Sequence, residues 1–139
     1  MTDLIEVRVS NLIGAALDWA VAIVTQGKVY GGADGVLCPP EGAVELNEDD
    51  GTLWVCSGGF HPKGHWSPST DWSQGGPLID KHGGSVQHDR GVPLSTRYSA
   101  GPDGDAVWCY GPTPLIAFCR GLVRYKLGDT VQVPKELMP

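Results

Sequence analysis

No stretch of this 139-residue chain approaches the ~18–20 consecutive apolar residues that a membrane-spanning helix requires. The opening residues, Met1-Thr2-Asp3-Leu4, lack the basic start and apolar run of a secretion signal, so the expected location is the cytosol. Basic residues are scarce: ten Lys and Arg stand against sixteen Asp and Glu, a formal charge of −6. A surface that coats polymeric nucleic acid works by releasing phosphate counterions, and an acidic chain is poorly suited to it. A small anion is a different matter, because a few backbone N–H groups can hold one locally. The four cysteines, Cys38, Cys56, Cys109 and Cys119, form no C-x-x-C pair, and the last two lie in apolar runs. Buried, unpaired thiols are therefore expected rather than disulfides or metal ligands. There is no H-E-x-x-H, no G-x-x-x-x-G-K-[ST] and no G-x-S-x-G elbow. His61 and His65 are four apart, but Pro62 and Gly64 argue against the helix that would turn both toward one metal. Neither a metal, a cofactor nor an enzyme activity is expected from these residues.

What the chain does have is glycine and proline, 20 and 11 of them, and 41% apolar residues. Turns and short elements around one core follow, in a single domain spanning residues 1–139. Alternation of Ile5, Val7 and Val9 with Glu6 and Arg8 predicts a strand over 4–9. Ser10 or Asn11 then offers an N-cap, and apolar residues from Leu12 to Val24 recur at helical spacing up to Gly27, predicting a helix over 11–26. The Glu48-Asp49-Asp50 run reads as a solvated hairpin tip, and Thr52–Cys56 as a strand. Residues 70–82 read as one or two short helical turns broken at Gly75-Gly76-Pro77, and 83–94 as loop. Strands near 95–100 and 105–110 flank a turn at Gly101-Pro102-Asp103-Gly104. The last helix, 113–127, has Thr113 at the N-cap, Pro114 at the first position and Gly128 as the stop. Its apolar stripe is Leu115, Ile116, Cys119, Leu122, Val123 and Leu127, and the tail 129–139 is expected to be extended and partly mobile. The expected fold class is α+β: a small, mainly antiparallel sheet with two principal helices packed on it.

Three stretches, in this order, resemble the NinX-like family of small bacteriophage proteins. They are Leu12-Ile13-Gly14-Ala15-Ala16-Leu17-Asp18-Trp19-Ala20-Val21-Ala22, Ser67-Pro68-Ser69-Thr70-Asp71-Trp72-Ser73-Gln74-Gly75-Gly76-Pro77-Leu78-Ile79, and Gly111-Pro112-Thr113-Pro114-Leu115-Ile116-Ala117 with Lys126-Leu127-Gly128-Asp129-Thr130-Val131 behind it. Segments 28–65 and 83–104 carry none of these marks. The resemblance implies a phage or prophage accessory protein of the host bacterial cytoplasm, and an α-β-α sandwich-like architecture by analogy. It does not itself supply an activity. Some small phage proteins sequester nucleotide immune signals, which makes a counter-defence sponge the leading hypothesis.

The residues compatible with that hypothesis cluster between Trp66 and Pro77. Ser69, Thr70 and Asp71 can cap a helix whose free N–H groups face an anion, and Gly75 and Gly76 allow close backbone approach. Trp66 or Trp72 would stack on a base. Thr113 opens a second helix start, and Arg97 or Arg120 would pair with phosphate. The same residues also suit a plain cap-and-turn with tryptophans in the core. Asp18 falls between core positions and is read as orienting a neighbouring segment. A homo-oligomer is expected. A protein–protein adaptor that binds a host factor is the alternative function, with a nucleotide-cleaving enzyme third.

Overall fold

The computed structural model describes residues 3–102 and 107–139. The apolar spacing after Leu12 produces α1 (Gly14–Gln26), which buries Ala16, Leu17, Ala20, Val21 and Ala22. It ends at Gly27, whose φ of 81° gives the left-handed C-cap. Its start differs from the expected cap at Ser10 or Asn11. Those residues belong to a 3-10 turn (Val9–Asn11), and Ile13 occupies the N-cap without a side-chain bond. The chain turns into the helix at Gly14, φ 61°, a backbone value that side chains other than glycine's rarely adopt. Leu12 is fully buried just before it, so core anchorage replaces the missing cap.

The second long helix, α3 (Pro114–Leu127), begins as expected, with Thr113 Oγ1 accepting from Ile116 N at 3.1 Å. Its burial exceeds the predicted stripe: every residue from Leu115 to Val123 is buried, while Leu127 is 42% exposed. A helix covered all round needs small residues where backbones meet. A Cβ on Gly121 would sit 2.5 Å from the Ala100 carbonyl oxygen, so glycine is what lets α3 lie on the strand carrying Ala100.

Among the described residues, three small antiparallel sheets replace the single sheet expected. The first pairs β1 (Leu4–Arg8) with β8 (Thr130–Pro134). The second holds β2 (Val44–Asn47), β3 (Thr52–Val55) and β4 (Gly64–His65), with the acidic run at the exposed β2–β3 tip as predicted. The third holds β5 (Ser85–His88), β6 (Tyr98–Gly101) and β7 (Cys109–Gly111). The class is thus α+β, with three α-helices among the described residues, since α2 (Trp72–Lys81) runs unbroken through Gly75-Gly76-Pro77. Pro77 removes one helical N–H, but packing and the Asp71 cap outweigh that local preference.

The tail is a paired strand, because Val131 and Val133 fill the core against β1 and α1. Segment 85–88 is a strand rather than loop. All four of its residues are exposed at a sheet edge, so no alternation marked it. The turn predicted at 101–104 lies partly outside the described residues. Two clusters make the core: one between α1, α3 and the first two sheets, the other around Phe118 and Leu122. All four cysteines are free thiols. Among the described residues no helix is long and apolar enough to cross a membrane, and no group of three or more His, Cys, Asp or Glu gathers at one point.

Candidate functional site

In the segment from Trp66 to Gly76, hydrogen bonds run mainly inward. The indole N–H of Trp66 donates to the Asp18 carbonyl at 2.8 Å, and the backbone N–H of the buried Ser69 donates to Asp18 Oδ1 at 2.8 Å. Gln74 closes the loop, accepting from Ser67 N and donating to the His65 carbonyl, both at 2.6 Å. Thr70 Oγ1 reaches the Ser67 carbonyl at 3.4 Å. Asp71 caps α2, accepting from the N–H and the hydroxyl of Ser73 at 2.9 and 2.7 Å, and these donors hold its pKa below the usual carboxylate value. Gly75 is buried: a Cβ there would lie 2.3 Å from the Pro68 carbonyl oxygen and 2.7 Å from Leu115 Cδ2. The starts of α2 and α3 therefore meet, as a site shared by Thr113 and Gly75 would require. What joins them is the Leu115 side chain. Gly76 faces only the Trp72 ring at 3.8 Å, and Trp72 is 57% exposed.

Asp18 is the hinge pin of this segment. It sits in α1 only 4% exposed, and burial raises its pKa to about 6 against the opposing pull of the Ser69 N–H and hydroxyl. Ser69 Oγ itself makes no well-formed hydrogen bond. Asp18 in turn adds to the burial that raises the Cys119 thiol far above its usual range. One buried carboxylate thus ties α1 to the 66–69 loop beside α3.

A second arrangement lies on the other side of α3. Arg120 and Arg124, four apart on that helix, turn toward β7 and the 3-10 turns Val9–Asn11 and Leu94–Thr96. A cleft of about 750 Å³ opens there, lined among others by Leu94, Trp108, Tyr110, Pro112, Arg120 and Arg124. Arg120 is only 9% exposed. Its Nε donates to the Leu12 carbonyl and its Nη1 to the Tyr110 carbonyl, each at 2.8 Å. These bonds aim the guanidinium but do not neutralise it, and among the described residues no carboxylate forms an ion pair with it. Burial accordingly holds its pKa below the ordinary arginine value. Arg124 is different: it bonds Asp129 Oδ1 at 2.7 Å and the Trp108 carbonyl at 3.2 Å in an exposed setting. Cys109 lies between the two arginines, its thiol raised by burial while both guanidinium groups pull the other way.

A buried cation at the wall of an open, mostly apolar cleft with two aromatic side chains suits a flat ligand that carries negative charge. Of the sequence-predicted residues, Arg120 lines this cleft and Arg97 an adjoining one, while Trp66 to Gly76 and Thr113 lie elsewhere. Trp108, Tyr110 and Arg124 escaped sequence reasoning. The signal was there: Trp108 and Tyr110 flank the buried Cys109, and Arg120 interrupts an apolar run four residues before Arg124.

No curated protein matches the chain. A family model described as Bacteriophage P22, NinX matches residues 8–126, running through the 28–65 and 83–104 segments, the first two telling stretches and Gly111–Ala117 of the third, and ending at Lys126 before Leu127–Val131. That match spans most of the chain, which therefore belongs to the phage P22 NinX family.

Proposed function

We propose that this phage protein binds a small nucleotide-like ligand in the cleft over Arg120 and holds it unconverted, as a sponge would. The carrying observation is Arg120 itself: an arginine whose residue surface is nine-tenths buried, positioned by two backbone carbonyls and without a counter-charge among the described residues. Burying an unneutralised charge is unfavourable, and an anion arriving in the cleft would relieve that penalty. Trp108 and Tyr110 supply ring faces, and about 750 Å³ is room enough for a nucleotide.

The test is calorimetry with mononucleotides and cyclic nucleotides, followed by recovery of the ligand from denatured protein. Saturable binding that Trp108→Ala weakens, with intact ligand recovered, supports the reading; a cleaved product replaces it with an enzyme. The adaptor is the second reading, favoured by Leu37 and Phe60, which are 87% and 84% exposed. They lie on loops tied together by the 2.6 Å ion pair of Lys63 with Glu41, at a distance in the chain from the arginines. Self-association would use the same face. Failure of every nucleotide to bind, with capture of a stoichiometric host protein lost in Phe60→Ser, makes the protein an adaptor.

A further inference from the structure

We propose a second anion-binding subsite at Arg97, joined to the Arg120 cleft, so that one ligand with two anionic groups, of the dinucleotide class, occupies both. The proposal rests on the reading of the Arg120 cleft as a nucleotide site and names the ligand class that it takes.

Beside the first cleft lies another of about 590 Å³, lined by residues including His88, Asp89, Thr96, Arg97, Ser99 and Tyr110. Thr96 and Tyr110 line both, so the two are separated by little more than one aromatic side chain. Tyr110 sits in β7 directly opposite Ser99 of β6 and is 60% exposed. A ring standing between two anion sites is where a base or linker would lie.

Arg97 is held by its backbone, with its N–H donating to the Leu94 carbonyl at 3.2 Å and its carbonyl accepting from Asp89 N at 2.8 Å. Its side-chain Nε is buried and has no hydrogen-bond acceptor among the described residues. Such donors are rare in folded proteins, since an unmade bond carries the full desolvation penalty of the group. The acid in this cleft does not supply the acceptor: Asp89 Oδ1 takes the Gly91 N–H at 2.8 Å and forms no ion pair with Arg97. His88 is engaged too, stacked on Tyr98 with ring centroids 4.5 Å apart. An arginine that lines one cleft and carries an unpartnered side-chain N–H, next to a buried arginine in the other with no counter-charge among the described residues, makes a two-point anion receptor. The net charge of −6 makes the pairing selective, because the rest of the surface repels phosphate.

Calorimetry of the full chain with adenosine monophosphate and with the linear dinucleotide pApA, on wild type and Arg97→Gln, tests this. The dinucleotide is expected to bind wild type at least about tenfold more tightly than the mononucleotide, the worth of one charge-assisted hydrogen bond. Arg97→Gln should remove that advantage while changing mononucleotide affinity less than about twofold. As a measurement needing no variant, amide shifts at 88–99 in wild type should respond to the dinucleotide and not to the mononucleotide. Equal affinity for the two ligands, or equal loss of both in Arg97→Gln, overturns the second subsite and leaves the Arg120 reading standing. No binding of either ligand overturns both.

Discussion

The loop from Trp66 to Gly76 and the cleft around Arg120 are built from similar materials: tryptophan, small hydroxyl residues, a buried charge and a nearby helix of the core. They differ in where the hydrogen bonds go. In the loop the buried charge is Asp18, and its acceptors meet the Trp66 and Ser69 N–H groups of the segment it anchors. In the cleft the buried charge is Arg120, and its partners are neutral carbonyls that orient it without cancelling it. A charge bound to its own fold holds structure together; a charge left uncancelled at an open wall is available to something else.

The sharpest way to break this contrast is at Gly75. Placing a methyl group 2.3 Å from a backbone carbonyl oxygen should make Gly75→Ala lose about 3 kcal/mol of stability in urea titrations. A Gly75→Ala protein as stable as wild type would mean that the loop is looser than its bonds imply.

Asp18 gives an effect of similar size with a distinctive pH signature. Its pKa of about 6 in the fold lies above the ordinary 3.8 expected for the unfolded chain. Between those values the folded state holds a proton that the unfolded state has released, so stability falls as pH rises through this window. The loss is complete above about pH 6 and amounts to about 3 kcal/mol relative to acid conditions. Asp18→Asn should abolish the decline while keeping an acceptor for Ser69 N. Parallel stability curves for the two proteins between pH 4 and about pH 7 would contradict the linkage.

On the cleft side, Arg120→Lys keeps the charge and loses the planar fork. It should weaken nucleotide binding about tenfold by calorimetry, while Thr70→Val, in the loop, leaves affinity unchanged. The reverse pattern would move the site to the loop. Removing the cap in Thr113→Ala should lower the melting stability by about 1 kcal/mol with no change in affinity. The smallest effect, and the opposite in sign, is expected for Gly76→Ala. Its Cβ meets only the Trp72 ring at an ordinary 3.8 Å, so a helical glycine is replaced by a better helix former. The gain is about 0.5–1 kcal/mol.

Much of the helical frame was legible. Thr113, Pro114 and Gly128 bracket α3 in the sequence because caps and stops are local chemistry, and the heptad-like spacing from Leu12 to Val24 shows α1 for the same reason. The strands fared unevenly. β1 alternates and is visible, whereas β5 has no buried face to alternate with, and β8 is hard to tell from a tail in sequence because its partner is the far end of the chain. The site was the least legible. The sequence singles out Arg97 and Arg120 but not their neighbours Trp108 and Tyr110, since the cleft joins segments that only folding brings together.

By itself, then, the sequence determined the α+β class, the acidic charge, the ends of α3 and membership of a phage family, all of which depend on residue type and short-range spacing. Tertiary structure alone decided that Gly75-Gly76-Pro77 stays helical, that Asp18 is bound to Ser69, and that Arg120 is buried and held by the Leu12 and Tyr110 carbonyls. The reason is physical: a local pattern specifies a backbone conformation, but the energy of a glycine contact or a buried ion is set by atoms up to 108 residues away, as the bond from Arg120 to Leu12 is.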